Sequence, residues 1–229
     1  MKSIIFAVML SVLSSACAFG ADNWTRIKLS LVPGVVTPDK PDVHGFDFGL
    51  LATRSRQLRG FQLSPFYADL TKLSYGAQLS LVSITKDFRG AKAGAVAIAD
   101  EVRGVQSGFF YNAAKNVYGE QNGGFYTVCE RIYGYQTGLV SSNRKLIGGQ
   151  ASLVALSKSV DGGQAGLVTY VPDIRGAQLG LVNVAGDMQG AQIGLVNVTN
   201  TMKGIQFGLV NVIKRSSLPV MVIFNASGL

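Results

Sequence analysis

The sequence predicts an all-β fold, a β-solenoid of about 14-residue coils, with an antiparallel outer-membrane β-barrel of about 14 strands as the alternative. Three observations carry this. Gly176-Ala-Gln-Leu-Gly-Leu-Val-Asn-Val returns at Gly190 and again at Gly204, 14 residues apart each time. Each copy alternates and is rich in β-branched residues, which reads as a strand. No stretch of residues 19–229 shows a helical period of useful length.

The chain opens on an export signal. Lys2 precedes an apolar run from Ile4 to Leu13, and Ala16-Cys17-Ala18 fits a small-x-small cleavage site. The run is too short to span a bilayer, which takes about 20 residues. Residues 1–18 are therefore expected to be a signal peptide. A lipid anchor at Cys17 is the less favoured processing route, because the aliphatic residue of a lipidation box would lie one position closer than Leu13. Cleavage leaves residues 19–229 as a single repeat domain and removes Lys2, lowering the net charge from +8 to +7.

The opening copy, 24–45, reads as an N-terminal cap and loop. It carries Trp24, Pro33 and the Pro- and Asp-rich stretch around His44. Asp47 and Lys28 fill the glutamine slot in looser upstream copies. From there the slot runs Gln62, Gln78, Lys92, Gln106, Gln121, Gln136, Gln150, Gln164, Gln178, Gln192 and Gln206. A glycine lies two residues before each, and a glycine or serine two residues after. Spacing stretches to 16 between Gln62 and Gln78, and to 15 before Gln121 and Gln136.

Within a copy, Gly176, Gln178, Gly180, Val182, Val184 and Met188 share one parity. Gly190, Gln192, Gly194 and Val196 repeat it, and these are the expected structural positions. Val184 is followed by turn-forming residues at Ala185-Gly186-Asp187. An aliphatic residue or Phe then precedes the next Gly by two: Phe88, Val102, Ile132, Leu146, Ile174 and Met188 among them. It is expected to anchor the turn to the core. The other parity varies at position 179 and keeps only Leu181 constant. Residues 216–229 read as a C-terminal cap, with Pro219 to Asn225 resembling a truncated last copy.

In a solenoid each position lies over its own equivalent, so Gln and Asn would form ladders of identical amides. Against a barrel, neither parity is continuously apolar, and equal connections give no stagger. For a barrel, folding the copies back at Gly186 would set large residues opposite small ones. Both arrangements stand at this point.

The Gly-x-Gln-x-Gly-Leu-Val-Asn-Val array resembles the leptospiral-type surface-repeat proteins, a family of exported bacterial proteins. The likeness is strongest over Gly162 to Val212. It weakens where Phe109-Phe110-Tyr111 and Gly124-Phe125-Tyr126 replace Leu-Val-Asn. The resemblance implies an exported, envelope-associated protein and implies no enzyme.

The residues point the same way. With His44 as the only histidine, no Ser-His-Asp set exists, and metal-ligand spacing is absent. No Gly-Lys-Ser/Thr follows the glycines, so they are not phosphate loops. The turn carboxylates Asp87, Asp100, Glu101, Asp173 and Asp187 fit turn chemistry. Cys129, in the turn region, is expected as a surface thiol. Basic residues are scattered without an aromatic-interleaved cluster, which excludes nucleic acid as a partner. The expectation is a non-catalytic envelope or surface protein without cofactor or metal, offering a structural or binding surface to an unidentified envelope ligand. Tyr111, Tyr126 and Phe207 on the variable face are the candidate contact residues. A barrel pore is the alternative, with outer-membrane association.

Overall fold

The computed structural model describes residues 23–32, 35–37 and 39–228. The signal peptide, Cys17, Pro33 and Pro38 lie outside the described residues. The chain is all-β and forms a β-solenoid of about 12 turns, not a barrel. The antiparallel barrel is thereby corrected, and the pore that required it loses its structural basis. Nine extended segments make up the fold: β1 (Trp24–Val32), β2 (Val35–Thr37), β3 (Asp42–Gly49), β4 (Ala52–Ser55), β5 (Gln57–Leu70), β6 (Ser74–Gly123), β7 (Tyr126–Ile193), β8 (Val196–Ile213) and β9 (Val220–Ser227). The long ones run unbroken through several coils. Two compact units divide at Ser107/Gly108, inside β6.

In the first unit, β1 pairs parallel with β3, β3 with β5, and β5 with β6. The register places Lys28 on Asp47, Asp47 on Gln62, and Gln62 on Gln78. The two looser copies are thus true coils in the stack. β2 folds back antiparallel on β1. The longer spacing after Gln62 appears as a register shift between Ser64 and Tyr67, which leaves Phe66 exposed.

In the second unit, β6 pairs parallel with β7, and β7 with β8. Gly190 lies over its copy Gly204, Gln192 over Gln206, Asn183 over Asn197 and Met188 over Met202. Pro219 to Asn225 departs from the expected truncated copy. As part of β9 it runs antiparallel along β8, with Gln206 opposite Asn225. The Ser216–Leu218 turn reverses the chain before another coil can begin.

The core explains the repeat. Val117, Ile132, Leu146, Val160, Ile174, Met188 and Met202, each two residues before its Gly, are buried in one cluster of the second unit. Phe88 does the same beside Val43, Leu58 and Leu70 in the first. The anchoring role expected of this row is what the structure shows. The Gly of each copy has φ near +135, as at Gly176 (+134) and Gly190 (+136), a region that L side chains rarely adopt.

One expectation about the faces is corrected. Val182 and Val184 are half-buried, whereas Asn183 and Ala185 are buried. Strict alternation fails because the coil turns a corner after Gly180. Leu181 and Val182 both face outward there, so the inward parity shifts by one. The buried residues of a coil are therefore Gln178, Asn183, Ala185 and Met188.

The inward amides are wired in series. Gln136 Nε2 donates to Gln121 Oε1 at 2.9 Å, Gln164 to Gln150 at 2.8 Å, and Gln192 to Gln178 at 2.7 Å. Every glutamine donates toward the N-terminal side of the stack. The asparagines run the other way: Asn183 Nδ2 donates to Asn197 Oδ1, and Asn197 to Asn211, each at 2.8 Å. Burying an amide costs little only when it is paired, and stacking identical copies supplies the partners.

Candidate contact surface

Outward positions form rows, since each coil lies over the last. The most regular row comes five residues after the Gly. Leu139, Leu153, Leu167, Leu181, Leu195 and Leu209 occupy it, each 40–61% exposed. Coils sit about 4.8 Å apart, so Leu139 to Leu209 covers roughly 24 Å. Val140, Val154, Val168, Val182, Val196 and Val210 follow in the adjacent row. The backbone ties the rows together: Leu195 N donates to Leu181 O at 3.0 Å, and Val210 N to Leu195 O at 2.9 Å.

The candidate contact residues fall on two parts of this surface. Tyr111 and Tyr126 stack with ring centroids 5.8 Å apart. They adjoin a cluster in which Phe110 stacks on Phe125 at 5.6 Å and Phe109 meets both edge-on. The one-residue insertions of these two copies push the phenylalanines out to 48–57% exposure. Phe207 lies elsewhere, edge-on to Phe224 of β9 at 6.3 Å. The structure thus does not bring the three into one site. A shallow groove of about 240 Å³ lies between Tyr135 and Leu179, floored by Gly149, Gly163 and Ala165.

The structural positions sit behind these rows. Gln178 and Gln192 are buried, while Gly176, Gly180, Gly190, Gly194, Val182 and Val196 are intermediate or at the surface. The signal for the leucine row was its constancy among copies. Reading the glutamine face as the only constrained one passed over it.

Chemistry elsewhere is sparse among the described residues. No group of three or more His, Cys, Asp or Glu is placed to hold a metal ion. His44 stacks on Trp24 with centroids 4.9 Å apart. Glu101 pairs with Arg103 at 2.8 Å, and Asp187 accepts from Thr201 Oγ1. Cys129 corrects its expectation: it is a free thiol buried in the core, and burial pushes it up to about 12. Its turn is tucked against Val117 and Ile132 rather than open to solvent.

Two buried lysines stand in the amide ladder. Lys28 Nζ donates to Arg54 O at 2.6 Å and to Ser55 Oγ at 3.0 Å. Burial lowers its pKa against the opposing pull of Asp47. Lys92 Nζ donates to Ile98 O at 2.7 Å and to Thr85 Oγ1 at 2.9 Å. Burial pushes Lys92 down to about 7. Both amines are spent on internal acceptors.

Comparison of the chain with family models, curated proteins and solved structures returns no significant match.

Proposed function

We propose that this is a non-catalytic, exported protein of the bacterial envelope or cell surface, whose solenoid offers an extended binding or structural face. The observation that carries the reading is the leucine row. Six copies keep Leu at a position 40–61% exposed, where folding alone would accept many residues. An outward residue held constant along the stack fits a contact role better than a packing role.

Two further features support it. The opening residues read as an export signal, and the copies from Gly162 to Val212 resemble leptospiral-type surface-repeat proteins. The aromatic cluster at Phe109, Phe110 and Phe125 adds a second exposed anchor of the kind that contact surfaces use.

Expression in a Gram-negative host, cell fractionation and intact-mass measurement test the reading. The expected outcome is a processed chain in the envelope fraction, starting at residue 19 or at a lipid-modified Cys17. Full-length chain retained in the cytoplasm would overturn it.

A further inference from the structure

We infer that the apolar face of the last coils docks on an anionic lipid surface, an inference that rests on the envelope role proposed above. Leu181, Leu195 and Leu209 stack in register and are 48, 48 and 61% exposed. Phe207 continues the apolar surface laterally to Phe224, and Val222 on β9 is 68% exposed. Water is a poor neighbour for so much contiguous apolar area, and such patches mark docking sites.

Charge selects the partner. After Asp187 the chain carries Lys203, Lys214 and Arg215 and no acidic residue through Leu229. Asp187 itself is engaged by Thr201 Oγ1. The three cations share one margin of the face. Lys203 immediately precedes its last coil, and the amides of Lys214 and Arg215 bond Thr199 O and Asn200 O at 3.0 and 2.9 Å. An apolar face with a basic margin is the pattern of an interfacial membrane anchor: side chains enter the acyl boundary and cations meet phosphates. A second copy fits worse. Packing the face on itself would bring the margin's cations near their own copies, with no acid among residues 188–229 to offset them.

The test uses protein recovered from an exporting host, its N-terminus fixed by intact mass. Wild type is compared with the triple variant Leu181→Ser, Leu195→Ser, Leu209→Ser in sedimentation with vesicles. One set is phosphatidylcholine alone, and the other contains about one-third phosphatidylglycerol. The expected result is binding to the anionic set, weakened by 0.5 M salt and reduced at least about ten-fold by the variant. An unchanged circular dichroism spectrum would show that the variant folds. Should serine substitution unfold it, Lys203→Glu with Lys214→Glu serves as the second variant, with the same expected loss. Equal binding by wild type and folded variants would overturn the inference. So would no binding to either set, or a concentration-dependent dimer that the variant abolishes without vesicle binding. Exported protein that ignores vesicles sinks the lipid inference alone, whereas unprocessed cytoplasmic protein sinks the envelope role beneath it.

Discussion

Gln62 donates its side-chain amide to Asp47 Oδ2 at 2.9 Å, so the glutamine ladder of the first unit ends on a buried carboxylate. Gln78 in turn donates to Gln62 at 2.6 Å. Thr53 and Ser55 also donate to Asp47, at 2.7 and 2.6 Å, and Lys28 reaches the same Ser55 hydroxyl. The donor end of the ladder thereby meets an anion, and the anion is balanced by an amine one coil further out.

Removing that carboxylate should be costly. Asp47→Ala strands Lys28 without a counter-charge and leaves three donors unpaired. A loss of about 3 kcal/mol is expected in urea unfolding. The double variant Lys28→Met, Asp47→Ala should recover part of it. A single variant as stable as wild type would show that Asp47 does not anchor the ladder.

Lys92 should make stability depend on pH. Its folded-state pKa is lowered to about 7 from 10.5. Between those values the unfolded chain binds more protons than the folded one, so stability rises with pH across that window. The slope from this group approaches about 1.4 kcal/mol per pH unit. Below the window both states are protonated, and the full cost of burying the charge remains. Lys92→Gln should raise Tm at pH 7 and flatten the rise toward pH 10. An unchanged slope in the variant would contradict this account.

Cys129 should resist alkylation. Its thiol is buried and held protonated at neutral pH, so the reactive thiolate is scarce. Iodoacetamide should label unfolded protein quickly and native protein slowly, at a rate set by opening of the fold. Fast labelling of the native protein would refute the buried position.

Gly180 and Leu179 should differ sharply despite being neighbours. A Cβ on Gly180 would press on the carbonyl of Gly166 and lie 2.9 Å from Asn183 Oδ1. Gly180→Leu is expected to cost roughly 2–3 kcal/mol. Leu179 is 45% exposed, and Leu179→Ser should change stability by under about 0.5 kcal/mol. Equal thermal shifts would mean that the two faces are not distinguished.

Deleting residues 177–190 should be tolerated. It removes one coil and brings Gln164 against Gln192, amide on amide, in the original register. A folded product with a single cooperative transition is the expected outcome by circular dichroism. Deleting seven residues instead should abolish folding, because inward and outward positions would no longer match.

Much of this was legible in the copies themselves. Lys28 and Asp47 could be placed in the glutamine slot because spacing alone defines the slot, whatever side chain fills it. The row from Phe88 to Met202 was legible because an apolar residue beside turn formers has one place to go. The corner at Leu181-Val182 was not. Both residues are apolar yet face outward, so hydrophobicity gave the wrong sign and drew Val184 inward in place of Asn183. The burial of Cys129 followed from that same corner. The direction of β9 was hidden as well, since Pro219 to Asn225 keeps β-rich composition whether it runs with or against β8.

The opposed amide ladders bear on how such a chain can lengthen. A single file of aligned amides adds its dipoles, and each new coil would deepen the field at the ends. Here Gln178, Gln192 and Gln206 point one way while Asn183, Asn197 and Asn211 point the other. The two files largely cancel coil by coil. Duplication of a 14-residue copy that carries both amides is then nearly neutral electrostatically, which leaves coil number free to drift in evolution. The copies with both amides are the three most alike in the chain, as recent duplicates would be.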